Sequence, residues 1–546
     1  MKFPTIPRVG AHALTLLVAA FLAVAPNLTF WQHFVSATGG AGFATLGVQL
    51  ASLALIVLVF NTLLSAANFP YIQKPVLILL LLGSAAASYF VDSYGVQIDR
   101  AMVQNVLETD AREALELFNW RFAATIALLG ALPALAVAKV PVRFQRPRRH
   151  VLGLAGVIAV SLAGATVLLL LFSKTLAPAL REHRELRFLL APTNYIQAVN
   201  GYVSQKLAQP VVVAPLGTDA TRGAAWADAR RRTVTVIVVG ETARAANFSL
   251  NGYGRETNPE LARQAGLVNF SNVESCGSAT AVSVPCVFSA FAREDYSDSK
   301  AKSQEGLLDV LSHAGFRVLW RDNNSGCKGV CDRVEHEDVS VPAPGDPLCD
   351  GEECHDEKLL AGLPDLIRNA DRDLVIVLHQ KGSHGPAYSK RYPGRFAKFG
   401  PVCDTNELEK CEHDAIVAAY DNTILYTDHV LAAAIDILRQ AGSEADVDTA
   451  LLYFSDHGES LGEKGLYLHG APMMVAPSEQ THVPMMLWLS DRYAERFRID
   501  QRCLAARSDQ PFSHDNVFHS VLGMLNVTTT VYDPSLDLFQ ACTHGT

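Results

Sequence analysis

The pattern of hydrophobic and polar positions changes character once along the chain. No Asp, Glu, Lys or Arg occurs from Val9 to Gln73, a run of 65 residues. A helix crossing a bilayer needs about 20 apolar residues. The run therefore predicts two membrane spans, near Leu14–Phe34 and Phe43–Ala66, with a turn at Ala37–Gly42. Three further apolar segments, Pro75–Val91, Phe122–Val140 and Val151–Phe172, bring the expected total to five, the third span being short enough to recruit flanking residues. Helices of a soluble core carry charge on one face, and these do not. Lys2, Arg8 and the Ala-Val-Ala at 23–25 resemble a signal peptide, but Pro26 stands just after that cut and four spans follow, so the first segment reads as retained.

From about Arg230 the pattern becomes short apolar runs separated by charged, amphipathic segments. Val234–Val239, Val318–Trp320, Leu374–Leu378, Ala450–Phe454 and Met485–Leu489 predict buried strands, and Gly306–Ala314 and Ala415–Gln440 predict helices. Continuous rather than alternating hydrophobicity marks strands covered on both faces. Alternation with helices implies a mostly parallel α/β sheet. Between the two halves, Leu176–Leu190 mixes Leu with Arg and Glu, which suits a helix along a bilayer surface or a plain linker helix. The expected organisation is a five-helix transmembrane domain (1–173), bridging helices (174–225) and a soluble catalytic domain (226–546).

Charge gives this architecture a direction. Lys2 and Arg8 precede span one, Lys74 joins spans two and three, and Lys139, Arg143, Arg146, Arg148 and Arg149 join spans four and five. Positive residues stay in the cytoplasm, so the N-terminus is expected inside and everything after Phe172 outside. All ten cysteines lie in the second half, on the oxidising side, and their order suggests sequential pairs: Cys276–Cys286, Cys327–Cys331, Cys349–Cys354, Cys403–Cys411 and Cys503–Cys542. No CxxC occurs to favour a zinc ribbon. With 18% charged residues and a net charge of −9, the chain offers no phosphate-seeking surface for nucleic acid.

Ligands of α/β sheets bind beyond the carboxyl ends of the strands, so the residues just after each strand carry the chemistry. They are Gly240-Glu241-Thr242, Asp322-Asn323-Asn324, His379 with His384 five residues on, and Ser455-Asp456-His457-Gly458. Turn-forming Asp, Asn and Gly explain any one of these, but not all four together. Glu241, Asp456, His457 and His469 are oxygen and imidazole donors suited to Zn²⁺ or Mn²⁺. A hydroxyl beside such an ion is activated as a nucleophile. Candidates lie in Ser275–Ala281 and just beyond it, ahead of a helix whose N-terminus favours phosphate. Chemistry alone does not separate Thr280, Ser278 and Ser283. A Cys276–Cys286 disulfide favours a residue held between the two sulfurs.

Four motifs then carry a resemblance: Gly240-Glu241-Thr242-Ala243-Arg244; Asn247-Phe248-Ser249-Leu250-Asn251-Gly252-Tyr253; Cys276-Gly277-Ser278-Ala279-Thr280 with Ser283-Val284-Pro285-Cys286; and Ser455-Asp456-His457-Gly458-Glu459-Ser460-Leu461-Gly462. Together they resemble the lipid A phosphoethanolamine transferases, a family that includes mobile polymyxin-resistance enzymes, and the likeness covers essentially the whole chain. It implies an alkaline-phosphatase-like, sulfatase-type α/β/α domain on the periplasmic side of a bacterial inner membrane. It also implies transfer of phosphoethanolamine from phosphatidylethanolamine to a lipid A phosphate, with polymyxin resistance as the cellular result.

By motif position, Thr280 would carry the covalent phosphoethanolamine, and Glu241, Thr280, Asp456 and His457 would bind one tight zinc. His384 and His469 match positions for substrate phosphate or a second zinc during turnover. Ser325 and Lys328 match the donor site, and Asn105, Thr109 and Glu113 the lipid head group. Many relatives have Thr where Ser278 stands, and a family carboxylate near the donor site is not assignable within Arg293-Glu294-Asp295. His336, His413 and His519 match no such motif. The expected partners are the two lipids and the bilayer, with no nucleic acid and a monomeric chain. A phosphoglycerol transferase, or transfer to another lipopolysaccharide sugar, is the alternative on this scaffold. A sulfatase would need x-Pro-x-Arg after Cys276 or Ser278, which is missing, and a non-catalytic scaffold would not need Glu241, Thr280, Asp456 and His457.

Overall fold

Pro26 breaks the first apolar run. In the computed structural model of the chain, which describes residues 8–38, 40, 42–108, 117–183, 186–206, 212–227, 231–350 and 353–543, helices α1 (Ala11–Val24) and α2 (Leu28–Ala37) meet at a 65° bend. The expected unbroken span Leu14–Phe34 is thereby corrected. Proline has no N–H to donate and its ring obstructs the preceding turn. Asn27 then satisfies the groups that the break releases. Its Nδ2 donates to the carbonyls of Leu22 (2.7 Å) and Ala191 (2.8 Å), while its Oδ1 accepts from the Ala191 N–H at 2.8 Å.

Four more helices are long and apolar enough to cross a membrane: α3 (Phe43–Ser65), α4 (Gln73–Tyr94), then, after the short α5 (Arg100–Glu108), α6 (Trp120–Lys139) and α7 (Pro147–Glu182). Counting the bent pair as one span gives five. A second correction concerns Leu176–Leu190. Up to Glu182 this segment continues α7, and only Leu186–Leu189 (α8) forms a further turn. No Gly or Pro lies between Phe172 and Leu176 to stop the helix. Helix α9 (Thr193–Lys206) follows. By internal contacts the chain divides into two compact units, Met1–Val103 with Leu117–Val203, and Gln104–Glu116 with Ser204–Thr546.

The second unit is built on an eight-stranded sheet. Its strands are β1 (Thr233–Gly240), β2 (Leu267–Glu274), β3 (Arg317–Asp322), β4 (Glu335–Asp338), β5 (Leu374–His379), β6 (Asp448–Ser455), β7 (His482–Leu489) and β8 (Phe512–Ser513), in the spatial order β8-β2-β7-β6-β1-β5-β3-β4. All pairings are parallel except those of β7 with β6 and β2. Seven strands thus share one direction and β7 alone is reversed. The five strands read as apolar runs are present. β2 has an alternating pattern instead, with Val268, Phe270 and Val273 turned into the core, and neither it nor the short β4 and β8 stood out as a continuous run.

Every residue of β1 is buried. Ile237 and Val239 join a core with Trp320, Val377, Leu452, Phe454 and Met485. Side chains from α10 (Thr280–Val287), α11 (Leu307–His313) and α16 (Asp515–Met524) close that core. The long α13 (His413–Glu444) packs on β6 and against α12 (Leu363–Asn369), so helices cover a sheet that is apolar on both faces. Helix α14 (Ser478–Thr481) leads into β7, and α15 (Asp491–Arg496) follows it. All ten cysteines pair, as Cys276–Cys286, Cys327–Cys331, Cys349–Cys354, Cys403–Cys411 and Cys503–Cys542. Ile237 lies on a central strand with 0% exposure, so Ile237→Ala is expected to lower unfolding free energy by about 2–5 kcal/mol, read by denaturant unfolding of the solubilised full chain.

Candidate active site

Because seven strands point one way, their carboxyl ends deliver side chains to one rim. Glu241 follows β1, and Asp456 and His457 follow β6, which lies beside β1. Thr280 is the first residue of α10, entered through the loop after β2. All four residues are buried. The Thr280 hydroxyl donates toward both carboxylate oxygens of Glu241, at 3.2 and 3.0 Å, and lies 3.3 Å from His457 Nε2. That Nε2 is also 3.3 Å from Glu241 Oε1 and from Asp456 Oδ2.

Hydrogen bonds to neighbouring groups set the orientation of each ligand. His457 Nδ1 donates to the Gly458 carbonyl at 2.9 Å, which leaves the Nε2 lone pair directed at the cluster. Asp456 Oδ1 accepts the backbone N–H groups of Thr242 (3.1 Å) and His457 (2.7 Å). Its Oδ2 is buried and has no hydrogen-bond partner among the described residues. Asn324 Nδ2 donates to Glu241 Oε2 at 2.7 Å.

The electrostatics ask for a cation. His457 is raised to about 10: burial opposes its charge, but Asp456 and Glu241 outweigh it. Glu241, despite a burial that would raise it, is held well below the usual carboxylate range by its bond to His457. Asp456 goes the other way, pushed up by burial and then by the Glu241 charge. His457 and Asp456 both hold protons more tightly than usual, so protons stand where a cation's charge would otherwise lie. Oxygen and imidazole donors, a buried Asp456 oxygen without a hydrogen bond and an Nε2 atom aimed at the cluster fit a divalent cation of the Zn²⁺ type, which would take the place of the Nε2 proton. Glu241, Asp456 and His457 bring their ligand atoms within 4.8 Å of one another.

The three hydroxyls that the sequence left equivalent differ in what they touch. Ser278 Oγ donates to the Ala471 carbonyl at 2.5 Å and Ser283 Oγ to the Asp456 carbonyl at 2.5 Å. Thr280 alone faces the ligand atoms.

Two histidines form a second group beside the first. The rings of His457 and His469 are 4.5 Å apart, and those of His469 and His384 are 5.1 Å apart. The loop after β5 carries His384 over Glu241. Ser383 N donates to the Glu241 carbonyl at 3.0 Å, and a Cβ on Gly382 would lie 2.5 Å from that oxygen, so only glycine fits there. Lys328 sits in the Cys327–Cys331 loop with φ +54° and donates to the Ser325 hydroxyl at 2.8 Å. Asn105 is half-buried on α5. Thr109 and Glu113 lie outside the described residues. Arg293 N bonds to Asp515 at 2.8 Å. His336 is exposed, and His519 Nδ1 accepts the Asp533 N–H at 3.0 Å.

Some participants were named from the sequence only as rim or motif residues, without a role. Glu459 is fully buried, 3.4 Å from His469 Nδ1, and burial pushes its carboxyl up to about 8. Asn324 and His379 join Glu241 to Asp322: Asn324 touches His379 Nε2 at 3.3 Å, and His379 Nδ1 meets Asp322 at 2.9 Å. All lie in the short runs at the strand ends, but only contact distances assign them partners.

A hydroxyl at a helix start, carboxylates and an imidazole on the carboxyl rim of a mostly parallel sheet define the sulfatase class of α/β domain, and the Sulfatase family model matches residues 233–527. A second family model, phosphoethanolamine transferase EptA/EptB, matches residues 56–207. The chain belongs to the phosphoethanolamine transferases. It is 40% identical over 538 residues to phosphoethanolamine transferase EptA of Escherichia coli K12, covering 98% of each chain. It is 41% identical to phosphatidylethanolamine transferase Mcr-1 of Escherichia coli, over 95% of this chain and 96% of that one. The integral membrane lipooligosaccharide phosphoethanolamine transferase A of Neisseria meningitidis superposes with a TM-score of 0.93 at 36% identity, covering 99% of this chain and 100% of that structure.

The loop before Thr280 also rests on a pH-sensitive support from elsewhere in the chain. His514 Nδ1 accepts the Cys276 N–H at 3.1 Å, and burial lowers its pKa from 6.5 to about 3. The unfolded chain takes up this proton below about pH 6.5 and the folded chain does not until about pH 3, so stability falls as pH drops through that window. His514→Asn is expected to flatten the dependence of melting temperature on pH between 6.5 and 4, with little change in slope above pH 7.

Proposed function

We propose that the chain transfers phosphoethanolamine from phosphatidylethanolamine to a lipid A phosphate, with Thr280 as nucleophile and one zinc held by Glu241, Thr280, Asp456 and His457. The observation that carries this reading is the Thr280 hydroxyl, 3.0–3.3 Å from Glu241 and His457, beside an Asp456 oxygen with no hydrogen-bond partner among the described residues. When bound, the ion supplies Lewis-acid charge that eases loss of the hydroxyl proton and offsets charge on phosphoryl oxygens.

The remaining chemistry belongs to side chains. Thr280 Oγ attacks the donor phosphorus in line, a P–O bond to it forms, and the P–O bond to diacylglycerol breaks. An acceptor phosphate oxygen then attacks the same phosphorus and frees Thr280. His384 and His469 donate a proton to the departing alkoxide and accept one from the acceptor. Lys328, with Ser325, places a positive charge near the donor phosphate. Asn105, Thr109 and Glu113 contact the lipid head group. Residues 1–173 anchor the enzyme in a bacterial inner membrane with the N-terminus in the cytoplasm, 174–225 bridge, and 226–546 work as the periplasmic catalytic domain of a monomer. Confining enzyme and both lipids to one surface raises their effective concentration. The added amine offsets negative charge on lipid A, which weakens polymyxin attraction.

Mass spectrometry of lipid A from cells expressing the chain is expected to show the phosphoethanolamine increment, and its absence with enzyme present and zinc supplied removes this acceptor. Thr280→Ala is expected to lower turnover by a factor of about 10³ or more, with a matching fall in polymyxin tolerance. Asp456→Asn in the solubilised full chain is expected to weaken zinc binding by more than about 100-fold, measured by competition with a chromophoric chelator.

A further inference from the structure

His469 is carried between two residues in the left-handed backbone region. Leu468 has φ +64°, in the left-handed region that costs a branched residue free energy, and Gly470 on the other side has φ +86°. A side chain from elsewhere holds the segment. Gln480 in α14 is 0% exposed. Its Oε1 accepts the Ala471 N–H at 3.0 Å. Its Nε2 donates to the Leu468 carbonyl at 3.0 Å and to Ser460 Oγ at 2.9 Å. Both amide hydrogens and the amide oxygen are thus committed to the hairpin (Ser460–Leu461 with Tyr467–Leu468) that presents His469.

The same residue reaches the ligand segment through its backbone. The Gly458 N–H, next to His457, donates to the Gln480 carbonyl at 2.9 Å. The approach is close: a Cβ on Gly458 would lie 2.1 Å from the Glu479 carbonyl. Gln480 is therefore bonded to the segment carrying His457 and to the segment carrying His469, whose rings are 4.5 Å apart. A second tie reaches the nucleophile loop, where Gly470 N donates to the Ser278 carbonyl at 2.6 Å and Ser278 Oγ returns a bond to Ala471. Gln480 stands at this rim because β7 is reversed, which brings its N-terminal end to the edge where the other strands end.

We propose that Gln480 is a positioning residue of the transferase site: it fixes His469 relative to His457 and Thr280 and touches no reacting atom. The proposal rests on the reading that His469 moves a proton in turnover. A misplacement of about 1 Å can cost about 100-fold in rate, so the amide's three bonds have kinetic consequences beyond packing.

The test is a double-mutant cycle on the solubilised full chain with phosphatidylethanolamine and lipid A. The variants are Gln480→Met, which keeps the volume and removes the bonds, His469→Ala, and the pair. Gln480→Met is expected to lower kcat by about 10–100-fold while donor KM and zinc affinity change by less than about threefold. In the His469→Ala background the same change is expected to cost less than about twofold. Where Gln480→Met does not yield folded protein, Gln480→Glu, which keeps the acceptor for Ala471, carries the same comparison. An undiminished effect of the substitution in the His469→Ala background overturns the proposal, as does a fall in zinc affinity that parallels the rate. If His469→Ala turns over normally, the proton-transfer reading fails and the positioning role falls with it. If His469→Ala is slow and Gln480→Met is normal, the positioning role alone fails.

Discussion

Two carboxylates and one imidazole, buried together with their ligand atoms within 4.8 Å of one another, are the condition around which the soluble unit is organised. In water such a group would spread apart. Here Glu241 leaves β1, and Asp456 and His457 leave the adjacent β6, in register at Gly240 and Ser455, so the backbone gives them no freedom to separate. Removing charge from water is costly unless it is paired. The crowding is thus a standing free-energy cost, seen in the raised His457 and Asp456, and in the proposed reading a divalent cation would offset it. The buried strands, the helices over both faces and the short closed loops keep water from relieving that cost by other means.

A single reversed strand adds a second layer to this arrangement. A uniformly parallel sheet would bring only carboxyl ends, and hence only outgoing loops, to the rim. With β7 antiparallel, an incoming segment reaches the same edge and packs against the Gly458 turn and the His469 hairpin. The rim thereby joins side chains delivered by outgoing loops to a segment that enters a strand, bonded to each other through Gly458 and Gln480.

Much of this was legible in the sequence, for a physical reason. Strands covered on both faces must be apolar throughout, so β1, β3, β5, β6 and β7 announce themselves, and the residues at the carboxyl ends of β1, β3, β5 and β6 line the site. β2 was hidden because only one of its faces is fully buried, and its Asn and Ser positions interrupt the run. The break at Pro26 lay inside a stretch whose hydropathy alone looks continuous. The extension of α7 through Glu182 was obscured by charge, because hydropathy marks where a bilayer ends and not where hydrogen bonding ends. At the site, residue type indicated Glu241, Asp456, His457 and His469 as donors, and the structure gathers the ligand atoms of the first three. Residue chemistry did not separate Thr280 from Ser278 and Ser283; motif position pointed to Thr280, and the distances give the physical reason, since a backbone carbonyl already holds each of the other two hydroxyls. Glu459 and Gln480 carry no local signature, because their importance comes from partners 10 and 12 residues away and from full burial.

The spacing of the disulfides has a consequence for how the enzyme would fail. Four of the five bridges close loops of 4 to 10 residues, and only Cys503–Cys542, at 39, clips a distant segment. Cross-links over so few residues restrict the unfolded chain little compared with long ones, so they act chiefly on the loops they close, among them those of Thr280 and Lys328. The Cys276–Cys286 bridge, with its two cysteines 2% and 3% exposed, is moreover shielded from a reductant in solution, so the shape of the Thr280 loop persists as long as the surrounding core does.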